Sequence, residues 1–223
     1  MPIKLGPIIK WGAVILGLIL AFVLISYLRG VYTDLLWYDS LGFKSVFVKI
    51  LLTRVVLFVI GAAVFAVLVG AGLYVANRLS SGPVTLSLPP ETVDLLGKLT
   101  VWGSVIAVVI LSVIFGSIFA SRWEIFLKFA NSVQFGEVDP VFGRDISFYV
   151  FSMPVYNFVQ GWMLGAVIVI TLAAVGLYYV NFSLRGRRFE FSSGLKVFVS
   201  IMAAVVMLVL AVGLWLDRWD LLL

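Results

Sequence analysis

Apolar residues along this chain fall into long blocks, and ionisable residues are confined to the gaps between them. Five blocks reach the length that crosses a bilayer, about 20 apolar residues. They predict spans at about 8–29, 50–77, 98–120, 156–181 and 197–216. The uncharged run 146–184 is too long for one straight span, so the fourth span takes its later part. The expected fold is all-α: a polytopic integral membrane helix bundle, one transmembrane domain over 1–223, with short interfacial amphipathic helices on its outer side. Interfacial segments are expected at about 33–42, 121–154 and 217–223. The first block follows Lys4 and Lys10 as a signal peptide would. It exceeds the usual ~7–15 apolar residues of a signal and lacks a small-x-small cleavage site, so it reads as an uncleaved helix.

Orientation turns on the short loops. With the N-terminus inside, the 16 cations divide eight against eight. The tight turn at 184–196 packs Arg185, Arg187, Arg188 and Lys196 into one connection, where the rule is strongest. Acids segregate in the same sense, with Glu91, Asp94 and Glu190 inside and the other eight outside. The expectation is a plasma-membrane protein with a cytoplasmic N-terminus and an extracytoplasmic C-terminus. Arg185, Arg187 and Arg188 are also candidates for an anionic lipid headgroup at the inner face. A plain topology signal is the simpler reading. The segment 80–90 reads as an extended loop, because Pro83, Pro89 and Pro90 block helix continuation.

Composition sharpens the class. Hydrophobic residues make up 63% and charged residues 12%, with a mean hydropathy of +1.17. A soluble domain is about half apolar and one quarter charged, so lipid must solvate most of this surface. Cysteine and histidine are absent. That removes disulfides, thiolate chemistry, cysteine- or histidine-ligated zinc, histidine-ligated haem and histidine acid–base catalysis. No cofactor and no nucleic-acid partner is expected. The lipid bilayer and protein subunits are the expected partners.

A short word recurs after the odd-numbered spans: Thr33-Asp34-Leu35-Leu36-Trp37, then Arg122-Trp123-Glu124-Ile125-Phe126-Leu127, then Arg218-Trp219-Asp220-Leu221-Leu222-Leu223. The acids Asp34, Glu124 and Asp220 are separated by 90 and 96 residues. The word reads either as an internal repeat or as the common demand of an interface for tryptophan, an acid and leucine. Ser121 and Glu124 have capping-box spacing, and Thr33 and Asp217 suit the other two caps, with Gly42 ending the first helix. In the second word Trp123, Phe126, Leu127 and Ala130 share a face, and Glu124 and Lys128 form an i,i+4 pair. The third word runs into the last residue, which leads us to expect a longer protein beyond it.

The stretches 33–47, TDLLWYDSLGFKSVF, and 135–151, FGEVDPVFGRDISFYVF, resemble the uncharacterised protein family (UPF) number 0182 of bacterial and archaeal membrane proteins. Leu216-Asp217-Arg218-Trp219-Asp220-Leu221-Leu222 fits the same family. The resemblance implies a polytopic protein with about seven spans and a large extracytoplasmic domain, of which this chain holds five spans. It implies no activity and no catalytic residue.

The segment 121–154 concentrates the chemistry, with Arg122, Glu124, Lys128, Glu137, Asp139, Arg144 and Asp145 among aromatics. Asp139-Pro140 favours a turn and Gly143 a sharp bend. Arg144 either pairs with Asp139 or Asp145 in a buried site, or these charges orient the loop through its own backbone; the second reading is preferred. Candidate contact residues are Trp37, Trp123, Phe126, Asp139, Arg144, Asp145 and Trp219. Ser104, Ser112, Ser117, Thr171 and Ser200 are expected to donate hydrogen bonds between helices, and Ala62, Ala66, Gly70, Gly161 and Gly165 to form close-packing faces. None of the five runs holds an ionisable residue at mid-depth, which argues against an ion-coupled carrier. The leading expectation is therefore a non-enzymatic scaffold or anchor. The alternatives are a transporter or channel for a small or lipidic solute, and an accessory subunit of an energy-converting complex.

Overall fold

The computed structural model describes residues 5–79, 90–184 and 193–220. Six α-helices are present there: α1 Leu5–Ser40, α2 Lys44–Leu79, α3 Pro90–Ser121, α4 Trp123–Ala130, α5 Met153–Leu184 and α6 Ser193–Asp220. A π-turn over Phe148–Ser152 leads into α5. The expected all-α membrane bundle is what forms. Stretches within α2, α3, α5 with its leading turn, and α6 are long and apolar enough to cross a membrane. The first expected span lies inside α1. At about 1.5 Å per residue, α1 and α2 each run about 54 Å, beyond the roughly 30 Å hydrocarbon core. Pro90 opens α3 at the one position where its missing N–H costs nothing. The loop expected at 80–90 and the cations Arg185, Arg187 and Arg188 lie outside the described residues, apart from Pro90.

The chain divides into two compact units, Met1–Leu52 and Thr53–Leu223. In the first, the segment 33–40 is not a separate interfacial helix but the last turns of α1. The expected Thr33 cap does not form, because its hydroxyl donates to the carbonyl of Arg29, 2.9 Å away, inside the same helix. Gly42 does end the element, at φ +77°. Around that turn the Phe43 N–H donates to the Tyr38 carbonyl, and Lys44 pairs with Asp39 at 3.6 Å.

The core of the second unit lies among α2, α3 and α5. Leu57, Phe65 and Val69 pack against Phe115 and Phe119, and both groups against Trp162, Ala166 and Ile170. Phe65 stacks on Phe115 at 4.1 Å, and the Trp162 indole N–H donates to the Phe115 carbonyl at 3.1 Å. Helix α3 approaches α2 closely at Gly116, where a Cβ would stand 2.8 Å from Ala62 Cβ and 2.9 Å from the Phe58 carbonyl. Gly61 sits equally close to Phe119. Ala62 thus serves the expected packing face, while Gly70 and Gly161 have open space beside them.

Helices α5 and α6 pack through Ala174 on Phe198 and Tyr178 on Leu195. The Gln160 amide donates to the Val209 carbonyl at 3.1 Å, over Gly213, where a Cβ would meet it at 2.6 Å. The expected interhelical serines and threonine behave differently. Ser104, Ser112, Ser117 and Thr171 each bond the carbonyl four residues back in their own helix. That acceptor is always within reach, so no second helix is needed.

Candidate functional site

The end of the bundle where α3 finishes and α5 begins holds α4, a hairpin turn over 135–147, the π-turn, and the last turns of α6. Helix α4 forms as expected, with Glu124 and Lys128 paired at 2.7 Å. Its expected Ser121 cap does not. Arg122 occupies the N-cap position without a side-chain bond, and the Ser121 hydroxyl donates back to Ile118. The aromatic face of α4 packs on the bundle itself. Phe126 lies against Phe119 at 5.0 Å and Phe158 at 6.0 Å, and Arg54 of α2 sits over the half-buried Trp123 ring.

The hairpin is built by two carboxylates acting on its own backbone. Asp139 Oδ1 accepts from the Val141 N–H and Oδ2 from the Phe142 N–H, at 2.9 and 2.7 Å. This is the turn that the Asp-Pro pair predicts. Gly143, at φ +63°, lets the chain reverse, and its N–H returns to the Asp139 carbonyl. Asp139 N–H then donates to the Arg144 carbonyl, and Val138 bridges Asp145 in antiparallel fashion. Asp145 takes the N–H groups of Phe135, Gly136 and Ser147. Arg144 pairs with neither aspartate. Its guanidinium lies over the Phe148 ring, 5.3 Å from the centroid. The loop is therefore oriented through its backbone, as preferred from the sequence.

These bonds set the acidity of both groups. The Ser147 hydroxyl and N–H, with help from Phe135 and Gly136, hold the Asp145 carboxyl down at about 2 against partial burial. Burial pushes Asp139 up, but its bonds from Val141, Phe142 and Tyr149 outweigh that and leave it below the ordinary carboxylate value. Both groups are anionic acceptors with their oxygens already occupied, so neither is poised as a general acid or base near neutral pH.

A second set of contacts fastens this hairpin to the helices. Helical structure begins at Ile146, earlier than the sequence suggested, and runs through Pro154 without a break. The π-turn explains this: Met153 N–H bonds Phe148 O, five residues back, and the wider turn precedes the residue that lacks a donor. It points Tyr149 inward, and the Tyr149 hydroxyl donates to Asp139 Oδ2 at 2.9 Å. Tyr149 and Met153 pack with Leu216 and Trp219 of α6. The segment 217–220 continues α6 without a new cap at Asp217. Trp219 is 3% exposed, edge-on to Phe148 at 5.3 Å and to Trp215 at 4.3 Å. Arg218 lies 4.3 Å from both tryptophan centroids.

Of the candidate contact residues, the structure brings Asp139, Arg144, Asp145 and Trp219 into one assembly around Phe148 and Tyr149. Trp123 and Phe126 join the neighbouring α3–α5 core. Trp37, in the other unit, is 59% exposed. Sequence reasoning missed Tyr149 and Gln160. An unpaired glutamine within an uncharged span was a visible signal, since membrane depth demands a partner for it. Tyr149 had no such signal. Among the described residues no cluster of three or more acids could hold a metal ion. A groove of about 340 Å³ runs along Gly161 and Gly165, lined by Phe115, Ile118, Asn157, Phe158 and Trp162.

Comparison with known proteins agrees with the motifs quoted above. Residues 11–223 match the family described as Uncharacterised protein family (UPF0182). The UPF0182 protein of Rhodococcus erythropolis is 32% identical over 202 residues, covering 87% of this chain and 21% of the relative. That of Salinispora arenicola is 33% identical, with coverages of 94% and 22%, and that of Saccharopolyspora erythraea 33%, with 97% and 23%. The chain spans about a fifth of the length of these curated relatives. No solved structure matches it. With its polytopic helical fold and its DP-x-FG-RDISFYVF hairpin, the chain belongs to the uncharacterised protein family UPF0182.

Proposed function

We propose that this chain is a non-enzymatic membrane scaffold, a helix bundle of the plasma membrane on which partner subunits or an extracytoplasmic domain dock. The observation that carries this reading is the use to which the charged hairpin is put. Asp139 and Asp145 bind backbone N–H groups, and Arg144 covers a ring. These two aspartates and the arginine are thus engaged in building the hairpin rather than held free for acid–base chemistry. The N-terminus is cytoplasmic in this reading, and the hairpin end faces outward. Exposed Trp37, and α6 at Met207, Leu208 and Leu214, are among the exposed apolar surfaces open to partners. Replacing Trp37 or Met207 by a photoreactive benzoylphenylalanine in the full-length protein tests this in native membranes. Adducts of one defined mass are expected, and exclusive labelling of lipid contradicts the reading.

The groove along Gly161 and Gly165 favours a second reading, a path for a lipidic solute through the α5 region. Reconstituted flux lost on Gly161→Leu supports it, and absent or unchanged flux removes it.

A further inference from the structure

We infer that the hairpin tip 138–142 is inserted into the lipid of the leaflet that it faces, at the boundary between headgroups and acyl chains. The turn presents Val138 and Val141 at 66% and 65% exposure, with Phe142 beside them. Within 138–142 the one charged group, Asp139, is turned inward and only 9% exposed, so this tip is apolar, with exposed Glu137 just before it. Single exposed apolar side chains are ordinary, but a contiguous apolar tip is not.

The backbone makes the same point independently. Irregular chain is costly in lipid because its N–H groups lose water, and it is tolerated only when they are satisfied by the protein. Here the Val141 and Phe142 N–H groups are met by the Asp139 carboxylate, and those of Asp139 and Gly143 by the carbonyls of Arg144 and Asp139. Water would satisfy these groups without such an arrangement. Further along the chain, Ile146 and Val150, at the start of the helical run that becomes the α5 span, are exposed apolar residues as well. At the base of the turn stand exposed Arg144 and Glu137, the arginine where a lipid surface presents phosphates. A lipid surface therefore fits both the apolar tip and the charged residues at its base. This inference does not rest on the scaffold reading.

The chain lacks cysteine, so single cysteines can be spin-labelled without background. The chain of this sequence carrying Val141→Cys, and separately Val138→Cys, is reconstituted into vesicles of phosphatidylethanolamine and phosphatidylglycerol. Collisions of the label with oxygen, which concentrates in lipid, and with a water-soluble nickel chelate are then compared. Insertion predicts that oxygen exceeds the chelate several-fold at both positions, and that the ratio falls in detergent-free nanodiscs too small to flank the turn. A chelate-dominated ratio overturns the inference in favour of a solvated loop. Exclusion of both reagents overturns it in favour of a protein neighbour.

Discussion

The hydroxyl of Tyr149 donates a 2.9 Å hydrogen bond to Asp139 Oδ2, ten residues back in the chain. It ties the tip of the hairpin to the start of α5, and Trp219 of α6 packs on the same residue. Tyr149→Phe keeps the ring packing and removes only this bond. Amide exchange at Val141 and Phe142 is expected to quicken several-fold, with α2 unchanged. Hydrogen–deuterium exchange read by mass spectrometry checks it.

The depressed Asp145 gives the hairpin an acid-dependent stability. Its ordinary value is 3.8 and its folded value about 2. The stabilisation is therefore fully present above about pH 4 and lost as pH falls through about 2. Asp139 is lowered too and acts in the same sense. A spin label at Val141 is expected to stay ordered down to about pH 4 and to become mobile towards pH 2. Asp145→Asn should give a mobile label at every pH.

The α2–α3 contact is closed at Gly116, against Ala62 Cβ and the Phe58 backbone. A backbone oxygen cannot swing aside as a flexible side chain does. Gly116→Val should therefore separate the helices and cost roughly 1–3 kcal/mol, the range for overpacking. Gly103→Val, where nothing stands within 4 Å, should change stability far less. Unfolding of the two variants in mixed micelles of graded denaturing detergent measures the difference.

Trp219 fills the gap between α6 and the π-turn. Truncation to alanine leaves a cavity and is expected to cost about 3–5 kcal/mol. The loss should appear as faster proteolysis between α4 and α5, because the hairpin loses its clamp.

The four long apolar helices were legible because lipid imposes one rule over about 20 residues, and these blocks obey it. The hairpin was legible for the same kind of reason. Pro140 restricts the turn that Asp139 accepts into, Gly143 admits the positive φ that a reversal needs, and both features appear. The caps were not. The hydroxyls of Thr33 and Ser121 had two partners in prospect, a free N–H ahead to accept from or a carbonyl behind to donate to, and the sequence cannot say whether the preceding helix has stopped. Thr33 bonds back because α1 continues past it. The third word misled in a related way. Trp219 was expected at an interface, but α6 runs on through Asp217 and turns the ring inward. The Tyr149–Asp139 bond depends on the π-turn, whose extra residue changes which face Tyr149 presents. No periodicity argument supplies that rotation.

The central claim is that this bundle is a platform for other proteins. Its most direct test is the mass of the full-length protein, extracted from its native membrane in mild detergent and measured by light scattering with the detergent contribution subtracted. The account predicts a complex of fixed stoichiometry containing other subunits, weakened when exposed Trp37 is replaced by alanine. A lone monomer, unchanged by that replacement, would contradict it.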